Sequence, residues 1–448
     1  MNKNYKIFVL CYPHLGTLDN WLPVVDMVNN ITNSLDFTLI IPNANIIRSF
    51  HRDNAVVKIS DNIFNTVLIN AYDDVWIKHA SVFDSVLWYK NNRIVLRLFD
   101  ILRRLIEKNT FFYILMRPLV LFRNKIYKKK YKTLNIYNTV ISQRDILFYD
   151  IHTEGIHTEG NHTVLDVLQL FESNNKYSLP HAISMSAIEQ KSPVFININD
   201  KNNTKVYAYA KFQIKYYQEK YDINTNKIHV VGIPRHDCMW IKTVQEASSK
   251  LPNNFNDNTV VVLSRHVDSH LSFGEKVESI RNIKKIFIDN LNMRVAIKLH
   301  PNEKQERIFS SKKERIYENV FGLSNYGSTW IYSDLHVFAL AKGKVLTISL
   351  YTGVVFDMVA MGIPCVEYIN LLASPQYPEK KLSQFVKYGF AEGVSNHDEL
   401  FAYVEKCLNN PDKLLATPMS MYKKYFPVFE SASKKVVNEI LHDNKIIN

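Results

Sequence analysis

The sequence predicts an α/β protein made of two Rossmann-like domains facing across a cleft. Three observations lead there. Short apolar runs alternate with helix-like segments along most of the chain, the alternation halts at a polar stretch and then restarts, and 448 residues exceed what one hydrophobic core holds.

KIFVLCYP (6–13) reads as the first strand, since its apolar residues run without interruption, as in a parallel strand covered on both faces. A turn, HLGTLDN, and an apolar helix, WLPVVDMVNN, follow. FTLIIPN, ILFYDI, KVYAYA and KIHVVGIP are further strands, with LDVLQLFESNN and FQIKYYQEKY as helices between them. LPNNFNDN (251–258) is the polar interruption. Beyond it lie the strand TVVVLS (259–264), a helix near VESIRNIKKIFIDNL, the strands MRVAIKLHP (293–301) and KVLTISL (344–350), the helix VVFDMVAMG and the strand IPCVEYI. SASKKVVNEILHDN is a final helix suited to pack back on the first half. The expected division is 1–250, 251–425 and a terminal helix within 426–448.

Cys11, Cys238, Cys365 and Cys407 are far apart and form no CxxC pair, which points to a reducing compartment and away from a disulfide frame or zinc knuckle. The N-terminus lacks the pattern of a secretory signal, and no stretch is apolar enough to cross a bilayer, so a cytoplasmic location is expected. The net charge of +12 is concentrated. Segment 93–132 holds 12 Lys and Arg against Asp100 and Glu107, and Val95, Leu96, Phe99, Leu102 and Ile106 repeat at helical spacing on one face. A basic amphipathic helix followed by KIYKKKYK suits the anionic inner-membrane surface, with a solvated face as the plain alternative. No nucleic-acid partner is expected, because no recognition motif accompanies the charge.

In parallel sheets ligands bind beyond the carboxyl ends of the strands, so those loops hold the candidate residues. Lys298, His300 and Pro301 lie in KLHPNE, where His300 can donate to a phosphate or ribose oxygen or be a structural histidine before a turn. Thr352 and Gly353 sit between a strand and a helix, where backbone N–H groups and a hydroxyl meet an anion; alternatively Thr352 only caps its helix. Arg235 and Asp237 in VVGIPRHD, and Ser264, Arg265 and Asp268 in VVVLSRHVD, should overlook the cleft from its two sides. Either arginine suits a phosphate or carboxylate, or else an ion pair joining the domains. In IHTEGIHTEGNHT (151–163) the histidines His152, His157 and His162 are five apart, a spacing that shares neither a helix face nor a strand face, so no metal is expected. The carboxylates Glu154 and Glu159 remain as the reactive groups.

The series TEG, VYAYAKFQIKYYQEKY, VVGIPRHD, VVVLSR, KLHPNE and YTGVVFDMVAMGIPCV resembles bacterial surface-carbohydrate glycosyltransferases of the GT-B fold over about residues 145–370. The likeness is to CMP-sugar-using capsule and lipopolysaccharide enzymes, β-Kdo transferases among them, and more distantly to CDP-glycerol glycerophosphotransferases. It implies metal-independent transfer of a sugar such as Kdo from a CMP-activated donor to a glycan or lipid-linked glycan acceptor, without a further cofactor. It also implies that one of Glu154 and Glu159 is the general base, that His300 and Thr352 meet the nucleotide with Lys298 and Ser349 nearby, and that Arg235 or Arg265 grips a sugar carboxylate. If the reaction retains configuration, Asp237 is the expected nucleophile, with Asp268 in reserve. CMP-sialic acid and CDP-glycerol donors, and a non-catalytic role in capsule assembly, stay open.

Overall fold

The computed structural model describes residues 5–32, 35–42, 46, 53–69, 139–155, 162–183, 195–198, 201, 203–268, 271–300, 303, 315–368, 383–427 and 431–446. The basic segment 93–132, Glu159 and Pro301 lie outside these residues, as does the side chain of Glu154.

Two all-parallel sheets organise the chain. The first contains β1 (Lys6–Leu10), β2 (Asp36–Ile41), β3 (Thr66–Ile69), β4 (Ile146–Tyr149), β5 (Asn175–Ser178), β6 (Thr204–Ala208) and β7 (Ile228–Val230), in the order β3-β2-β1-β4-β5-β6-β7. Around it lie α1 (Leu15–Ile31), α2 (Asn54–Ile63), α3 (His162–Gln169) and α4 (Gln213–Tyr221). A linking helix, α5 (Cys238–Ala247), leads to the second sheet. This comprises β8 (Thr259–Leu263), β9 (Arg294–Lys298), β10 (Trp330–Tyr332), β11 (Thr347–Ser349), β12 (Cys365–Tyr368) and β13 (Glu392–Val394), ordered β10-β9-β8-β11-β12-β13. Its helices are α6 (Phe273–Ile283), α7 (Ile316–Phe321), α8 (Val337–Leu340), α9 (Val355–Ala360), α10 (Gln384–Lys387), α11 (His397–Asn409) and α12 (Pro411–Tyr425). The helix α13 (Ala432–Asp443) then returns to the first sheet's side of the molecule.

Strands covered on both faces need apolar side chains at every position. Ile7 to Leu10, Ile146 to Tyr149 and Val260 to Val262 are accordingly fully buried. In both sheets the chain reverses its direction of winding between two neighbouring strands, β1 and β4 in one and β8 and β11 in the other. Such a reversal parts the flanking loops and opens a crevice above the strand ends.

The HLGTLDN segment differs from its expected turn. Here α1 begins at Leu15, because Thr17 donates from its backbone to His14 O (3.0 Å) and from its hydroxyl to Tyr12 O (2.9 Å), closing the first helical turn early. Gly16 lets this turn lie against the β5 loop, since an added Cβ would sit 3.3 Å from His181 O. The helix near VESIRNIKKIFIDNL changes pitch at Lys284 and runs as π-helix to Asn290.

The last helix is fastened by both packing and polar contacts. Val436, Val437, Ile440 and Leu441 are buried against the first half, and four such side chains contribute roughly 6–12 kcal/mol. Lys435 Nζ donates to Val230 O (2.6 Å), His229 pairs with Glu439 (2.9 Å), and Tyr177 donates to Asp443 (3.2 Å).

Candidate functional site at the two strand crossovers

Above the first sheet's reversal stand the ends of β1 and β4, joined by the end of β5. Asp150 directly follows β4 and is fully buried. One of its oxygens accepts from His152 N (3.0 Å), the other from His181 N (2.9 Å) and from the His181 ring at Nδ1 (2.5 Å). Burial disfavours the charge of Asp150, but His152, His181 and the backbone donors outweigh it and hold the carboxyl at about 2. Nδ1 is thus committed to this carboxylate, and a singly protonated His181 ring with its proton on Nδ1 has its lone pair on Nε2. Next to it, at 5.2 Å between ring centroids, is His14 from the β1–α1 loop, which is exposed. On the other flank His152 bonds to Tyr221, and burial lowers its pKa to about 4.

Above the second reversal stand the ends of β8 and β11. Arg265 binds Asp268 through Nη2 (2.6 Å) and Nε (2.8 Å), donates to Tyr351 O (2.9 Å) and lies over the Tyr351 ring at 5.0 Å. These contacts hold Tyr351 at φ 56°, a left-handed conformation that costs a side-chain-bearing residue on the order of 1–3 kcal/mol. That conformation folds back the chain so that Gly353 is exposed, with no atom within 4 Å of a Cβ built on it. Thr352 N donates to Ser349 Oγ (3.1 Å), and Thr352 Oγ1 accepts from Val354 N (3.5 Å). The result is a polar turn, open above Gly353, at the start of α9.

His300, just beyond the end of β9, lies 4.9 Å from His266 between ring centroids, with the rings tilted by 42°. Burial first, and then His266, lower it to about 4, so at neutral pH it is an uncharged donor or acceptor. His14, from the first half of the chain, adds a smaller contribution to this lowering. Beneath His300 a buried network fixes the loop. His300 N donates to Glu303 (2.9 Å), whose other oxygen takes Ser264 Oγ (2.8 Å) and Lys276, while Tyr317 donates to Ser264.

Several residues expected at the ligand are otherwise engaged. Ser264 belongs to the buried network under His300 rather than to the cleft surface. Ser349 is buried and shapes the turn. Lys298 Nζ donates to Leu335 O (2.6 Å). Arg235 lies between Asp19 and Asp357, 3.1 Å from each, so its guanidinium joins the two halves and does not reach out for a sugar carboxylate. Asp237 accepts from Ser431 Oγ (2.7 Å), Ala432 N (2.9 Å) and Ser433 N (2.9 Å), capping α13, and this occupied carboxylate does not suit a nucleophile. Arg265, Asp268, His300, Thr352 and Gly353 are the expected residues gathered at the second crossover. Glu154 lies in a 3-10 turn directly after β4, at Ile151–Gly155.

The residues missed from sequence are His14, Asp150, His181 and Tyr351. Each falls within four residues of a strand's carboxyl end, in YPH, FYD, LPH and SLY, so the strand-end search contained the signal. Among the described residues no cluster of histidine, cysteine and carboxylate side chains has the geometry to hold a metal ion.

No protein-family model matches the sequence, and no curated protein matches it. Solved structures do match, in fold. A variant of the wall teichoic acid polymerase TagF soaked with CDPG is similar at TM-score 0.55 and 9% identity, over 99% of this chain and 90% of that one. The Staphylococcus aureus MnaA–UDP structure is similar at TM-score 0.52 and 11% identity, over 99% and 98%. The UDP-GlcNAc 2-epimerase of Neisseria meningitidis bound to UDP-GlcNAc is similar at TM-score 0.50 and 12% identity, over 98% and 100%. With its two parallel-sheet units and these likenesses, the chain has the GT-B fold.

Proposed function

We propose that this protein is a metal-independent transferase that moves a group from a cytidine-nucleotide donor to a hydroxyl of a glycan or lipid-linked glycan, in the building of a bacterial surface polysaccharide. The observation that supports it best is the His181 ring bonded to buried Asp150 at the strand ends of the first sheet, together with His300 and the open Thr352–Gly353 turn at the strand ends of the second.

In this reading the donor phosphate lies at the Thr352–Gly353 turn, with His300 donating to it and the helix end favouring its charge. The acceptor hydroxyl lies at His181 Nε2. As the acceptor oxygen bonds to the transferred group, its proton passes to Nε2, the bond to the departing nucleotide phosphate breaks, and that bond's electrons leave with CMP. Asp150 holds the ring in the required tautomer and stabilises the imidazolium that forms. His181 thus takes the base role that resemblance gives to Glu154 or Glu159. For Kdo as the transferred sugar, Arg265 meets its carboxylate in exchange for Asp268, the carboxylate it holds in the unliganded protein.

The likeness to TagF soaked with CDPG favours a second donor class, a polyol phosphate carried on CDP. Phosphoryl transfer from such a donor would use the same base and the same turn. We further propose that the protein works in the cytoplasm, at the inner-membrane surface, through segment 93–132; no helix among the described residues is long and apolar enough to cross a membrane.

The test is nucleotide release from CMP-Kdo, CMP-sialic acid, CDP-glycerol and UDP-hexoses, with and without lipid-linked glycan. Release from a cytidine donor that depends on acceptor and is lost in His181→Gln supports the proposal. Silence with every donor, together with no calorimetric binding of CMP or CDP, overturns it.

A further inference from the structure

Arg235 and His236 are held in a buried polar network that contains two carboxylates. Arg235 divides its guanidinium between Asp19 of α1 through Nη1 and Asp357 of α9 through Nη2, at 3.1 Å each. His236 Nε2 takes the second oxygen of Asp357 (2.8 Å), and its Nδ1 meets the Tyr422 hydroxyl (2.6 Å). Asp19 is closed from the far side by His336 Nε2, 3.2 Å from both oxygens. Arg235 also lies 5.3 Å over the Phe338 ring, which leaves its planar group little freedom. Both carboxylates are 6% exposed.

Such a network is a poor source of net stability, because removing these charges from water costs nearly as much as their attraction returns. What it supplies is geometry. Asp357 is in the first turn of α9, four residues after Gly353, and Asp19 is in α1, five residues after His14. One rigid guanidinium therefore ties the start of the helix under the polar turn to the start of the helix behind His14.

We propose that Arg235 and His236 are positioning residues: through Asp357 they fix the Thr352–Gly353 turn, and through Asp19 they hold it in register with the His14 side of the cleft. This rests on the reading that the turn receives the donor phosphate. Tyr422 is part of the device, since its hydroxyl donates to Nδ1 of His236 and so leaves Nε2 as the proton-bearing nitrogen toward Asp357.

Three variants test it. Tyr422→Phe removes one hydroxyl at the outer end of the network, Asp357→Asn removes the shared charge, and Arg235→Lys keeps the charge but replaces the two nitrogens that meet Asp19 and Asp357 by one on a flexible stem. Amide hydrogen exchange on the unliganded protein is the first readout. Exchange across 352–356 and 15–20 should accelerate together, by about tenfold or more in each variant, while β8 and β9 keep their protection. The calorimetric Kd for CMP and, for the donor that turns over, KM should each rise about tenfold with a much smaller change in kcat. Should Asp357→Asn fail to fold, Tyr422→Phe still decides the matter. Unchanged exchange in the turn for Tyr422→Phe and Arg235→Lys overturns the proposal, and so does wild-type behaviour of Arg235→Lys in all readouts. Coupled exchange in a protein that binds no CMP or CDP would instead uphold the positioning network and reject the donor assignment.

Discussion

Replacing Asp150 by asparagine separates the two roles assigned to that carboxylate. The folded protein holds it at about 2 against an ordinary 3.8, although burial alone would push it up. At about 1.4 kcal/mol per pH unit, the difference is worth about 2 kcal/mol of folding stability. Because the folded value is the lower one, this stability is fully present above pH 4 and is lost as the pH falls toward 2. Urea unfolding of wild type and Asp150→Asn should show a gap of about 2 kcal/mol at pH 7 and pH 5, narrowing to about 1 kcal/mol at pH 3. In the same variant the amide can no longer fix the tautomer of His181 or stabilise its charged form, so kcat should fall roughly 10²–10⁴-fold while donor binding persists. A stability gap that does not vary with pH would refute the electrostatic argument. Turnover within about threefold of wild type would refute the orienting role of Asp150.

Glu367 behaves in the opposite sense. It is fully buried, with one oxygen bonded to Ser383 and the other without a partner among the described residues, and burial raises its pKa to about 8. A raised folded value means stability declines between about pH 4.5 and pH 8 as the unfolded chain sheds its proton first. Glu367→Gln should therefore flatten the fall in thermal midpoint between pH 6 and pH 8.5; an unaltered decline would contradict this. His300→Ala should raise the donor KM by about tenfold, since it removes a single neutral hydrogen bond, and a loss confined to acceptor KM would place His300 on the wrong side of the cleft. Alanine at Glu154 and at Glu159 should each leave more than about a tenth of wild-type kcat if His181 is the base, and a loss near 10³-fold at either would return the base role to that glutamate.

Much of the fold was legible because parallel strands announce themselves by unbroken apolar runs, as in IFVL, ILFY and TVVVL. Short strands of mixed composition were not. The strands NKYS and EGV mix polar and small residues, and only their neighbours in the sheet make them strands. For the site, the search for strand-end loops led to Arg265, His300 and Thr352, but emphasis on the repeated HTEG drew attention past Asp150, two residues upstream of its first histidine. That aspartate looks ordinary in sequence. Its importance comes from His181, 31 residues away, which a neighbouring strand delivers to it. Arg235 illustrates the converse. PRHD sits at a strand end and carries the right charge for a ligand, yet two carboxylates from distant helices claim it. Sequence order holds no sign of Asp19 or Asp357 converging there.

The return of α13 to the first sheet sets the order in which this protein can mature on the ribosome. Residues 259–394 supply every strand of the second sheet, and α11 and α12 complete its cover by residue 425, before α13 emerges. The first unit, although synthesised earlier, waits with the flank of α1 uncovered and the carboxylate of Asp237 uncapped until residues 431–443 have cleared the exit tunnel. A late stop codon would then harm the oldest part of the chain most, leaving the youngest sheet intact beside an incomplete partner.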